Sequence, residues 1–428
     1  MRLLIENGRV IDPANNIDRI CNLAVEDGKI AAVFTDEAGL DFTPDRVIDA
    51  TGLVVTPGFV DLGARLREPG DEHRAFLKSE LDAALAGGVT SLVCPPDTEP
   101  VLDEPGLVEM LKYRASILNK AHIYPLGALT IGLHGEKLTE MSELTDAGCI
   151  GFSNANAPMP DTEMLLRVMQ YAKSFDYCIW LQPQDPSLGR NGMAHSGPLS
   201  ARLGLSGIPV IAETISLHTI FELIRVTGAR VHLCRLSSAA GIDLVRQAKA
   251  EGLPVTADAG IHHLHLTDAD IDFFDSNARL VPPLRSSQDR NAITAGLQDG
   301  TIDAICSDHT PTDDDEKLLP FGEAVPGATG LELLLPLTLK WARENGGDDL
   351  LSAAVAKITS EPARILNLPC GTLDIGQAAD ICIFDPETSW TVEAGTLVSQ
   401  GRHTPFLGRE VPGRIRMTIV DGQPVFER

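Results

Sequence analysis

The sequence predicts a (β/α)8 TIM barrel with a small β-sandwich formed from both chain termini. Two observations lead there. A long middle alternates short apolar runs with amphipathic helical patterns, and two flanks carry only β-type runs and turns. The 428 residues suffice for one barrel and a smaller domain with a substantial shared core.

The first flank, residues 1–56, reads as short strands such as Leu3–Ile5, Leu23–Val25 and Ile30–Val33, punctuated by Asn7-Gly8 and Asp27-Gly28. Such Asn-Gly and Asp-Gly pairs between apolar runs are hairpin signals. Residues 369–428 return to the same grammar in Ala379–Asp385 and Met417–Gly422, so the two ends are expected to build one sandwich. Residues 57–368 then make the barrel. Its candidate strands are 54–62, 91–96, 122–128, 149–154, 177–182, 230–236, 254–259 and 302–308. Helical patterns lie between most of them, at Glu72–Ala86, Asp161–Ser174, Ala239–Glu251 and Gln288–Gln298. Ala86-Gly87-Gly88 reads as a helix C-cap, and the acidic run Asp313–Glu316 as a solvated loop.

Barrels carry their chemistry where strands end. Here those ends are Gly63 and Arg65, Cys94, Gly127, Asn154, Gln182, Arg235, Asp258 and Asp308. Composition narrows the partners. With 35 basic against 60 acidic residues, the formal charge of -25 argues against nucleic acid and against anionic membrane. The eight cysteines contain no C-x-x-C pair, and most fall within apolar runs, which fits a reducing cytoplasm. The opening residues have acidic and turn residues too early for a signal peptide, and no run of eighteen apolar residues occurs. No Gly-x-Ser-x-Gly or catalytic Cys-His pair offers a nucleophile.

Motifs in order along the chain add a more specific reading. Asp61-Leu-Gly-Ala-Arg-Leu-Arg-Glu-Pro-Gly70 is followed by Ala86-Gly-Gly-Val-Thr-Ser91, Ala147-Gly-Cys-Ile-Gly-Phe-Ser153 and Gly260-Ile-His-His-Leu264. Pro282-Pro-Leu-Arg-Ser286, Ser307-Asp-His309, Gly330-Leu-Glu332 and Ala379-Asp-Ile381 complete the set. Together they resemble the dihydroorotase branch of the cyclic amidohydrolases across the whole chain. That family's first strand usually reads Asp-Leu-His-x-His-Leu-Arg-Glu-Pro-Gly, and Gly63 and Arg65 stand where its two metal-binding histidines would be.

The resemblance implies a zinc hydrolase whose ligands have been replaced. Asn154 stands at a bridging carboxylate, Gln182 at the strand-five histidine and Arg235 at the strand-six histidine, while His232 and Ser237 remain. Of the usual ligands only Asp308 survives. Arginine has no lone pair for zinc and repels a divalent ion, so no metal or other cofactor is expected. The expected replacement is a salt bridge from Arg65 or Arg235 to Asp308. By the same resemblance, Arg67, Asn277 and His309 match substrate-contacting positions, with Asp97 in place of an asparagine. Arg67 alternatively makes a structural ion pair with Glu68 or Asp97. His262, His263 and His265 belong to a family turn outside the ligand set, and His195 and His218 read as surface or supporting residues.

Some relatives in this family are pseudoenzymes that this chain resembles in losing the His-x-His, and they associate with the aspartate carbamoyltransferase catalytic chain in pyrimidine synthesis. The resemblance therefore implies a catalytically inactive homologue supporting that assembly, in a homo-oligomer or mixed complex. Two alternatives stay open. One is an active cyclic amidohydrolase with a reduced site on Asp308 and the His262–His265 group. The other is a sensor keeping Arg67, Asn277 and His309 for an anionic pyrimidine precursor.

Overall fold

Val54 to Leu62 does not run as a single strand. In the computed structural model, which describes residues 1–35 and 42–428, Val54–Pro57 joins the terminal sheet and Phe59–Asp61 opens the barrel. Gly58 makes the turn between them. A Cβ there would stand 2.2 Å from Thr90 Oγ1, so only glycine fits where the two layers meet.

The terminal sheet has eight strands. Its path runs from Gln423–Glu427 through Glu410–Val420, Ile381–Thr391, Val54–Pro57, Arg2–Asp12 and Ile17–Glu26 to Lys29–Phe34, with Arg46–Asp49 pairing Arg2–Asp12 in parallel. Both ends of the chain thus share one sheet around their own core of Leu3, Ile5, Leu23, Ile381 and Ile419. Asp27-Gly28 and Asp421-Gly422 make tight antiparallel turns with both residues at positive φ. Asn7-Gly8 does not. The first strand runs straight through it, and the register shift between Ile5 and Gly8 marks a β-bulge that Asn7, at φ 62°, accommodates.

The eight barrel strands are Phe59–Asp61, Val89–Cys94, His122–Pro125 continued by Gly127–Ala128, Phe152–Ser153, Cys178–Leu181, Arg230–Leu233, Val255–Gly260 and Ala304–Cys306. They pair in parallel in sequence order. The ring closes just beyond the first and last strands, where His309 N donates to Gly63 O at 3.1 Å and Arg65 N to His309 O at 2.9 Å. Val60, Val93, Trp180, Ala304 and Cys306 pack the interior. Outside it, Thr162–Ser174, Ala239–Ala250 and Ser287–Gln298 sit where the helical periodicity puts them, while the helix expected from Glu72 begins only at Leu77 and runs to Ala86. The acidic run is not a loop: Asp313 caps a short helix, Asp314–Lys317, and Glu316 turns back to pair with Arg74 at 2.6 Å. Among the described residues no helix is long and apolar enough to cross a membrane.

Candidate functional site

The strand ends converge on a guanidinium. Arg235 leaves the sixth strand in the left-handed region, at φ 54°, which turns its buried side chain into the barrel mouth. Its Nη1 lies 2.8 Å from Asp308 Oδ1 of the eighth strand. Its Nη2 donates to Gln182 Oε1 of the fifth at 3.1 Å and to Asn156 Oδ1, after the fourth, at 2.6 Å. One planar cation therefore ties together groups from four strand ends. Burial is the largest single influence and opposes its charge, yet Asp308, by charge and hydrogen bond, together with its other neighbours leaves the Arg235 pKa raised.

Arg65 takes a different role. Its Nε pairs with Asp97 Oδ2 at 2.8 Å and its Nη1 donates to Thr310 Oγ1, leaving it 3.9 Å from Asp308 Oδ1. Asp97 is thus paired with Arg65; burial opposes its ionisation most, but Arg65, with Arg67 and Arg235 nearby, holds its carboxyl below the usual range. Beyond its ring-closing carbonyl, Gly63 leaves only space at the mouth, since a Cβ there would meet nothing within 4 Å. Asn154 is buried and turned away: Oδ1 accepts from Thr130, and Nδ2 donates to the Leu133 and Ala157 carbonyls. Asn156 reaches the centre instead, a contact that position along the strand did not reveal. The space left among Gly63, Arg65, Trp180, Arg235, Asp258 and Asp308 is about 30 Å³, room for one water.

This donor set does not fit a divalent ion. Gly63 has no donor atom, Arg65 and Arg235 are cations, and the remaining oxygens of Gln182 and Asp308 face a guanidinium. A layer below, His232 Nε2 donates to Asp258 Oδ2 at 3.0 Å while Nδ1 accepts from Thr256 Oγ1. With Cys234 they form a group of ligand atoms within 4.8 Å of one another. Burial pushes the Cys234 thiol well up, so it is not poised as a thiolate ligand. A second such group, His122, Asp380 and Asp421, lies outside the barrel mouth. Among the described residues Asp308 and the His262–His265 turn belong to neither group.

That turn is dispersed by its helix. His265 Nε2 donates to Leu337 O, and His262 packs against Phe406 with neither ring nitrogen partnered among the described residues. Burial lowers the pKa of both rings to about 4. His195, read as a surface or supporting residue, is half-buried with Nδ1 3.3 Å from Arg285 Nη1.

The three substrate-type residues do not meet either. Arg67 is buried, donating from Nε to Pro311 O at 2.9 Å, with Asp71 at 3.5 Å as its ion pair. Neither partner expected for it is right, because Glu68 pairs with Arg114 and Asp97 with Arg65. Burial first, then Arg65, lowers the Arg67 pKa to about 10. His309 is fully buried, donating to Glu80 at 2.6 Å and accepting from Gly330 N, so both ring nitrogens are engaged. Asn277 lies on the loop after the seventh strand, 3.3 Å from His403 Nδ1. Beside the mouth a further cavity of about 200 Å³ is lined by Asn154, Trp180, Gln182, Asp185 and Thr219; its only ionisable side chain is the carboxylate of Asp185.

Residues 52–240 match the dihydro-orotase-like family model, and residues 212–425 match the amidohydrolase family model. A dihydroorotase-like protein of Pseudomonas aeruginosa is 43% identical over 427 residues, covering 100% of both chains. A second such protein, of Pseudomonas putida, is 42% identical over 99% of this chain and 98% of its own. A dihydroorotase of Syntrophotalea carbinolica is 40% identical, again over 99% and 98%. Among solved structures, the L-hydantoinase (dihydropyrimidinase) of Arthrobacter aurescens superposes with a TM-score of 0.89 at 25% identity, over 99% of this chain and 96% of that one.

Proposed function

The chain belongs to the dihydroorotase-like branch of the amidohydrolase family, and from that premise we propose that it is a non-catalytic homologue supporting assembly or stability of the aspartate carbamoyltransferase catalytic chain. The observation that carries this reading is the Arg235 guanidinium bonded to Asp308, Gln182 and Asn156. Zinc in this fold would polarise a ring carbonyl and supply hydroxide near neutral pH. A fixed guanidinium supplies positive charge but no open coordination position. The space at the guanidinium itself holds about one water, too little for a six-membered ring in the place a metal-bound substrate would take. A fold kept without its metal chemistry is best explained by its surface, and the family resemblance names the partner.

Purified protein is expected to hold no stoichiometric zinc and to show no dihydroorotase turnover in either direction. Mixed with the carbamoyltransferase catalytic chain, it should form a larger species by light scattering and raise or stabilise transferase activity. Separate elution at micromolar concentration with unchanged activity would sink the assembly role. A second reading, a hydrolase with one metal, would have to use the His232, Cys234 and Asp258 group, whose ligand atoms lie within 4.8 Å of one another although burial keeps the Cys234 thiol protonated. Elemental analysis distinguishes the two, since about one equivalent of tightly held metal, lost in Asp258→Ala, would support it.

A further inference from the structure

Two loops at the mouth end of the barrel hold large apolar side chains in water. After the seventh strand come Phe273, 92% exposed, and Phe274, 42% exposed; after the eighth come Leu318, 80% exposed, and Leu319, 42% exposed. The loops are stitched together. Ser276 Oγ donates to Lys317 O at 2.6 Å, Lys317 Nζ to Ser276 O at 2.9 Å, and Arg279 Nη1 to Phe321 O at 2.6 Å. The backbone is also strained in their favour, with Asp272 at φ 42° and Phe274 at φ 66°. A bulky aromatic in that region is a real outlier, of the kind a fold keeps where the side chain has a use.

The charge that the two loops themselves expose is acidic, although Arg409 pairs with Asp270 at their edge. Asp272, Asp275, Asp314, Asp315 and Glu323 are exposed on the same two loops. Asp314 is matched by His403, but Asp272, Asp275, Asp315 and Glu323 make no ion pair among the described residues. The only basic groups on these segments, Arg279 and Lys317, are drawn inward onto backbone carbonyls. An apolar centre with an acidic rim excludes two occupants. A second copy of this chain would set like rims against each other, and an anionic lipid surface would repel the carboxylates.

We propose that Phe273, Phe274, Leu318 and Leu319 form a docking surface for a protein face with an apolar pocket inside a Lys/Arg rim. This rests on the assembly reading above and assigns the contact to one face of the barrel. The probe is the purified carbamoyltransferase catalytic chain, titrated against the full-length protein by calorimetry. Phe273→Ser/Leu318→Ser should weaken binding roughly 30-fold or more without shifting the melting temperature. Asp272→Lys/Asp315→Lys should weaken it and flatten its salt dependence. Tyr113→Ser/Ile117→Ser provides the control: it removes exposed side chains at 67% and 64% on the barrel wall, where an apolar groove of about 620 Å³ is also lined by Ile117, and should leave binding unchanged.

Equal affinity for the Phe273/Leu318 variant, or loss confined to the Tyr113/Ile117 variant, would overturn the assignment while leaving the assembly reading intact. So would a homo-oligomer, or binding to anionic vesicles, that the Phe273/Leu318 variant abolishes. Wild-type protein that fails to bind the transferase overturns the assembly reading, and this surface with it.

Discussion

Arg235 and Asp308 form the most consequential pair in the barrel, because both side chains are under a tenth exposed. Two desolvated ions stabilise each other without necessarily adding net stability over an apolar pair. Removing one leaves the other uncompensated. Asp308→Ala should therefore lower the unfolding free energy by about 3–5 kcal/mol in a denaturant titration. The double variant Arg235→Met/Asp308→Leu should recover most of that, and a pair as damaging as the single change would show that packing, not charge, sets the cost. The same pair limits repair of the metal site. Gly63→His meets no steric obstacle at Cβ, but Arg65→His strips Asp97 of its partner and leaves Arg235 in place. The variant Gly63→His/Arg65→His should accordingly remain inactive, hold no zinc and be less stable than the parent. Measurable dihydroorotate hydrolysis from it would mean that the remaining ligands lie elsewhere.

At the scale of elements, periodicity and strand ends gave most of the barrel, because both are local. Each strand and each named helix lies within a few residues of its expected place, and the end positions Gln182, Arg235 and Asp308 do meet. What was not legible depended on contacts far away in sequence. Val54–Leu62 splits because Pro57 pairs with Ile381 and Phe59 with Val89, partners that no local pattern names. Asn7-Gly8 has hairpin chemistry but lies in a strand held on both sides, so it bulges instead of turning. Asp313–Glu316 looks solvated until Asp313 caps the turn and Arg74 supplies a cation from 242 residues away. At the mouth the sequence marked Asn154 by its place in the motif, yet the left-handed Ala155 at φ 50° swings Asn156 onto the guanidinium. His309 escaped for the same reason, since Glu80 claims it from the helix Leu77–Ala86.

Across the whole molecule, buried carboxylates fasten the C-terminal segment to the barrel. Glu80 accepts from His309, Ser399 Oγ and Gln400 N, and Glu332 accepts from Val398 N at 2.7 Å and Ser399 N at 3.1 Å. The two behave differently. Burial alone would raise both, but His309 holds Glu80 below the usual range, whereas Glu332 has no facing cation in hydrogen-bond reach and is pushed up to about 7. The sign of the linkage follows. Between its unfolded value near 4.5 and its folded value near 7, Glu332 binds more protons in the native state than in the unfolded one. Its protonated form therefore favours folding at low pH, and that advantage is lost as pH rises through about 7. Glu332→Gln keeps the accepting oxygen and cannot ionise. The variant should match wild type near pH 4 and exceed it near pH 8, by up to about 3 kcal/mol. Parallel denaturant titrations at the two pH values cancel the other titrating groups, and a stability difference that stays constant with pH would show that Glu332 ionises as easily in the folded chain as in the unfolded one.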